Sequence, residues 1–101
     1  MIAQISIYPL GKGASLSKSV SALVDLVDRS GLDYRLTSMG TVVEGEWDAV
    51  MKLVRKLRDR ALKDSERLIV NITIDERKDR RKRLDHKIRA VESLLGRTVR
   101  T

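Results

Sequence analysis

An α+β fold, a four-stranded antiparallel sheet with two helices on one face and a third helix at the end, is what this sequence predicts. Three observations carry the prediction. Short stretches alternate apolar and polar residues with a period of two, others repeat apolar residues at helical spacing, and the two kinds follow one another in the order β-α-β-β-α-β.

Each element has its own signature. From Ile2 to Leu10, residues Ala3, Ile5 and Ile7 fall on one side, and Gln4, Ser6 and Tyr8 on the other. Pro9, Gly11 and Gly13 end that strand. Ser15 or Ser17 is placed to cap a helix carrying Val20, Leu23, Val24 and Val27, which Ser30-Gly31 stops. A second strand is expected from Asp33 to Met39, a turn at Gly40, and a third strand from Thr41 to Gly45. Trp47 opens a second helix with the apolar stripe Val50, Leu53, Val54, Leu57 and Ala61. Leu68 to Ile74 is the clearest strand, with Leu68, Val70, Ile72 and Ile74 on one side and Ile69, Asn71 and Thr73 on the other. A basic run, Arg77 to Arg83, leads into a last helix with the stripe Leu84, Ile88, Val91, Leu94 and Leu95, closed by Gly96. The order is that of a ferredoxin-like βαββαβ sandwich, whose two crossover helices share one face of the sheet.

The 101 residues suit a single domain, residues 1–101, and a core this modest gains from burying further surface in an oligomer. There is no cysteine, which removes disulfides and thiolate metal sites. The first residues lack the basic and apolar pattern of a secretory leader, and no stretch is long enough to span a membrane, so the expected location is the cytoplasm. The net charge of +7 is unevenly spread: residues 76–101 hold ten Lys or Arg against four Asp or Glu, and the rest of the chain is nearly balanced.

The helices cover only one face of such a sheet. Alternation assigns Gln4, Ser6, Tyr8, Ile69, Asn71 and Thr73 to the other, joined from the middle hairpin by Arg35, Thr37, Met39, Val42 and Glu44. A freely solvated face carries more Lys, Glu and Arg, and a packing face more Leu, Ile and Val. This mixture suits an oligomer contact or a pocket lined by hydrogen-bonding groups. A semi-exposed face with no ligand is the plainer alternative. Glu44 reads two ways: a carboxylate for a cationic ligand, or a solvated acid close to a helix N-terminus.

The stretch Met39-Gly40-Thr41-Val42-Val43-Glu44-Gly45-Glu46 resembles the small thiamine-binding proteins of the YkoF-like family. The strand Ile5-Ser6-Ile7-Tyr8-Pro9-Leu10-Gly11, the Ser-led helix after it, and Tyr34 before the hairpin fit the same pattern. The resemblance runs over nearly the whole chain. It implies a ferredoxin-like fold, dimers that associate into tetramers, and binding of thiamine or a related pyrimidine without catalysis. The pocket it implies draws on Glu44 and Thr41 first, then Ser6, Tyr34, Thr37 and Asn71. A carboxylate can stabilise the thiazolium charge or accept from the pyrimidine amino group, and hydroxyl and amide groups can serve the ring nitrogens. Aromatic residues are only 3% of the chain, with no Phe, so platforms for stacking a flat ring are scarce.

Other chemistry finds little support. His86 is the only histidine and stands in the basic last helix beside Asp85 and Lys87, with no partners for metal binding or catalysis. Gly11-Lys12-Gly13 lacks the spacing of a phosphate loop. Asp25 and Asp28 are read as the solvent side of the first helix. Neither an enzyme nor a cofactor is expected. RNA binding through the basic segment 77–83 is the competing class, and a structural oligomer without ligand is another. Against RNA stand the missing stacking aromatics and the acids Asp75, Glu76, Asp79 and Asp85 in and around the basic run.

Overall fold

The structure is a computed structural model that describes residues 1–10, 16–78 and 84–101. In chain order the elements are β1 (Ile2–Leu10), α1 (Leu16–Arg29), β2 (Asp33–Thr37), β3 (Gly40–Glu44), α2 (Trp47–Leu62), β4 (Arg67–Asp75) and α3 (His86–Leu95). The strands form one sheet in the order β2-β3-β1-β4, and every neighbouring pair is antiparallel. Helix α1 links β1 to β2 past β3, and α2 links β3 to β4 past β1. This is the split βαβ arrangement of the ferredoxin-like fold.

Register determines which side chains meet the helices. Ala3 pairs with Val43 and Ile74, and Ile5 with Thr41 and Ile72. Ala3, Ile5 and Val43 are buried against Val27 of α1 and against Val50, Leu53, Val54 and Leu57 of α2. Three- and four-residue spacing gathers those α2 side chains on one stripe. Burying an aliphatic side chain of this kind contributes about 1.5–3 kcal/mol. Among the described residues Ser65 is the buried polar exception; its hydroxyl donates to the Leu10 carbonyl at 2.9 Å, which removes the cost of leaving it unpaired.

Strand ends differ slightly from the periodicity. β2 stops at Thr37, and Ser38-Met39 make the turn, because Gly40 already pairs with Thr37. The Thr37 hydroxyl donates to the Gly40 carbonyl at 2.8 Å and accepts from the Met39 N–H at 3.2 Å, locking that turn.

Helix α3 stands apart from the core. None of its residues is buried, and Leu94 is 90% exposed. It ends on Gly96, whose φ of 70° lets its N–H reach the Glu92 carbonyl at 2.8 Å. Its start is tethered to the open side of the hairpin. The Leu84 N–H donates to Glu44 Oε1 at 3.3 Å, and Arg35 pairs with Asp85 at 2.8 Å. Among the described residues no helix is long and apolar enough to cross a membrane.

Candidate functional site

The open face is best described as rows running across the strands. At one end Asp33 pairs with Glu44, Glu44 with Ile2, and Ile2 with Asp75. The next row on the same face is Arg35, Val42, Gln4 and Thr73. Beyond it Thr37 pairs with Gly40, and Ser6 with Asn71. Tyr8 opposite Ile69 forms the far row.

Ser6, Thr37, Asn71 and Glu44 therefore share the open face. The first three lie along one line, with Gly40 between Thr37 and Ser6. The fit there is close: a Cβ on Gly40 would lie 2.6 Å from Ser6 Oγ and 2.8 Å from the Ile5 carbonyl oxygen. Ser6 Oγ donates to the Met39 carbonyl at 2.8 Å. Both hydroxyls of the row thus spend their protons on the hairpin and have only lone pairs left to offer, while the Asn71 amide can both donate and accept. Glu44 lies four residues along β3 from Gly40, about 13 Å by strand rise. Glu44 is half-buried, and its carboxylate accepts from the Leu84 N–H.

Tyr34 and Thr41 lie on the other face. Tyr34 pairs with the buried Val43, and Thr41 with the buried Ile5, so both point to the helix side. The six candidates do not form one cluster. The Tyr34 hydroxyl donates to Asp28 at 2.9 Å, and this bond holds its pKa above the ordinary value, with desolvation and the Asp28 charge adding to it.

Sequence reasoning missed Arg35, Asp85 and Leu84 as a tether over this face. The contact between Arg35 and Asp85 spans 50 positions, and no local pattern announces it. An open depression of about 700 Å³ lies elsewhere, where α2 runs into β4, lined by Leu10, Leu62, Lys63, Ser65 and Arg67 among others; none of the six candidates lines it. Of the basic run, Arg77 and Lys78 are exposed; residues 79–83 lie outside the described residues, as do Gly11-Lys12-Gly13 and Ser15. His86 is exposed at the first position of α3.

Comparison with known proteins follows the same outline. A family model described as thiamine-binding protein matches residues 3–92. The protein UPF0045 MJ1052 of Methanocaldococcus jannaschii is 36% identical over 94 residues, 93% of this chain and 94% of its own length. UPF0045 protein YqgV of Bacillus subtilis is 31% identical, over 93% of this chain and 96% of its own. The crystal structure of MJ1052 superposes with a TM-score of 0.80 at 37% identity, covering 89% of this chain and 93% of that one. A Thermotoga maritima protein, TM0486, has the same fold, with a TM-score of 0.79 at 19% identity over 89% of this chain and 96% of that one.

Proposed function

The chain belongs to the thiamine-binding protein family, and on that premise we propose that it binds thiamine or a related aminopyrimidine on the open face of its sheet, without catalysis, as a cytoplasmic oligomer. One observation carries the placement: Ser6, Thr37 and Asn71 stand in a line across the strands, with Glu44 farther along on the same face. The lone pairs left on the two hydroxyls suit the pyrimidine amino group, and the Asn71 amide suits a ring nitrogen. Glu44 is the natural partner for a positive charge, because charge-assisted contacts are about twice as strong as neutral ones. Tyr34 and Thr41, on the helix side, support the sheet and do not touch ligand in this scheme.

Binding without chemistry also suits the hydrogen-bond pattern. A Ser6 hydroxyl that gives its proton to a backbone carbonyl is not poised as a nucleophile, which needs a base in that place. Nucleic acid is a poorer occupant. Of the three aromatic residues, Tyr8 alone lies on the open face, and single-stranded RNA is held largely by stacking.

Titration calorimetry of the protein with thiamine, its phosphates and hydroxymethylpyrimidine tests the proposal. Saturable heat with at least one of them is expected, little changed by salt. No heat with any of them overturns the ligand assignment.

A further inference from the structure

Asp85 occupies the N-cap position of α3, yet its side chain makes no bond to the first turn of that helix. An Asp at this position ordinarily accepts a first-turn N–H and stabilises the helix. Here its Oδ2 accepts instead from Arg35 Nη2 at 2.8 Å, 50 positions away in the chain. Arg35 Nη1 donates to the Tyr34 carbonyl at 3.0 Å. The guanidinium is thus held from two sides.

The register places this cation beside Glu44. Arg35 pairs with Val42, and Glu44 stands two residues farther along β3 on the same face, so the two are diagonal neighbours. Diagonal neighbours lie roughly 7–8 Å apart at the backbone, within reach of a long side chain. Asp33, opposite Glu44, is two residues from Arg35 on β2 and shares that face too. Of these carboxylates, it is Asp85 that the structure pairs with Arg35. Residues 84 and 85 contact both sides of the arrangement: the Leu84 N–H bonds Glu44, and the Asp85 carboxylate bonds Arg35.

We propose that Asp85 is a positioning residue for the ligand site: by holding Arg35 it keeps the guanidinium from settling on Glu44, and so sets how strongly the open face prefers a cationic ligand over a neutral one. This rests on the ligand reading above and adds what determines its charge selectivity. A guanidinium on Glu44 opposes a thiazolium at the same carboxylate, whereas an uncharged pyrimidine is indifferent to it. The Arg35 side chain is 57% exposed and that of Asp85 32%, so solvent screens the pair and the effect is modest.

Calorimetry with thiamine and with uncharged hydroxymethylpyrimidine tests this. Asp85→Asn is expected to weaken thiamine about three- to fivefold, the scale of one partly exposed ion pair, and to leave hydroxymethylpyrimidine unchanged. Asp85→Glu keeps the charge and is expected to bind thiamine like the parent. In an Arg35→Met background the Asp85→Asn change is expected to have little effect, because no guanidinium remains to be held. The proposal is overturned if Asp85→Asn weakens both ligands alike, or weakens thiamine equally with and without Arg35. NMR of the ligand-free Asp85→Asn protein gives a second reading. Contacts between the Arg35 side chain and Glu44 are expected there, and an Arg35 that stays away from Glu44 overturns the proposal. Such contacts in a protein whose parent gives no heat leave the positioning role standing and remove the ligand; heat from the parent with Arg35 unmoved in the variant does the reverse.

Discussion

Glu44 Oε1 accepts the backbone N–H of Leu84 at 3.3 Å, so the candidate ligand carboxylate is also the tether of the terminal helix. Charge and acceptor can be separated by substitution. Glu44→Gln keeps an oxygen for Leu84 but removes the charge. It is expected to weaken thiamine binding by about 1.5–3 kcal/mol, tenfold or more, with α3 unmoved. Glu44→Ala is expected to lose the binding and also to speed amide hydrogen exchange at the start of α3. Calorimetry and exchange measured on both variants check this, and equal exchange in the two would show that Glu44 does not hold the helix.

Gly40 has no room for a side chain. Any Cβ there meets Ser6 Oγ at 2.6 Å and the Ile5 carbonyl oxygen at 2.8 Å, and the second of these is backbone that cannot turn aside. Gly40→Ala is therefore expected to cost about 1–3 kcal/mol, read as a lower denaturant midpoint. Parent-like stability in that variant would mean that the hairpin relaxes away from β1.

Leu53 is 2% exposed in the centre of the α2 stripe. Leu53→Ala is expected to destabilise by about 2–5 kcal/mol, the range for a buried leucine that leaves a cavity. The exposed Leu94 of α3 offers the contrast: Leu94→Ala is expected to change the monomer by less than about 0.5 kcal/mol. Chemical denaturation of the two variants side by side checks the assignment of core and surface.

Stability at high pH follows from Tyr34. Its bond to Asp28 raises the folded-state pKa above the unfolded value of about 10, so the folded chain holds that proton more tightly. The contribution is full below pH 10 and is lost as pH rises through the unfolded and then the folded pKa. Tyr34→Phe is expected to flatten this part of the stability profile, and Asp28→Asn to reduce it. An unchanged slope above pH 10 in Tyr34→Phe would assign the loss to another group.

Much of this architecture is legible in the residues because a sheet with one covered face must alternate. Ala3, Ile5 and Ile7 against Gln4, Ser6 and Tyr8 is enough to assign both sides of β1, and β4 repeats the pattern in register. The same alternation separates Thr41 from Glu44, an odd number of residues away, and Tyr34 from Arg35. Local motif similarity groups those residues, and strand geometry divides them. Met39 shows the opposite limit: it continues the pattern of β2, but Gly40 pairs with Thr37 and turns Met39 into the hairpin tip. The bond from Arg35 to Asp85 has no local signature at all, since it depends on where the chain returns after β4. The edge of β4 was visible as an apolar strand, but only the strand order shows that it ends the sheet.

The most direct test is to follow backbone and side-chain NMR resonances while thiamine is added. Shifts concentrated at Ser6, Thr37, Glu44 and Asn71, with Tyr34 and the Leu62–Arg67 depression unmoved, are the predicted result. Shifts confined to that depression, or none at saturating thiamine, would contradict a ligand site on the open face.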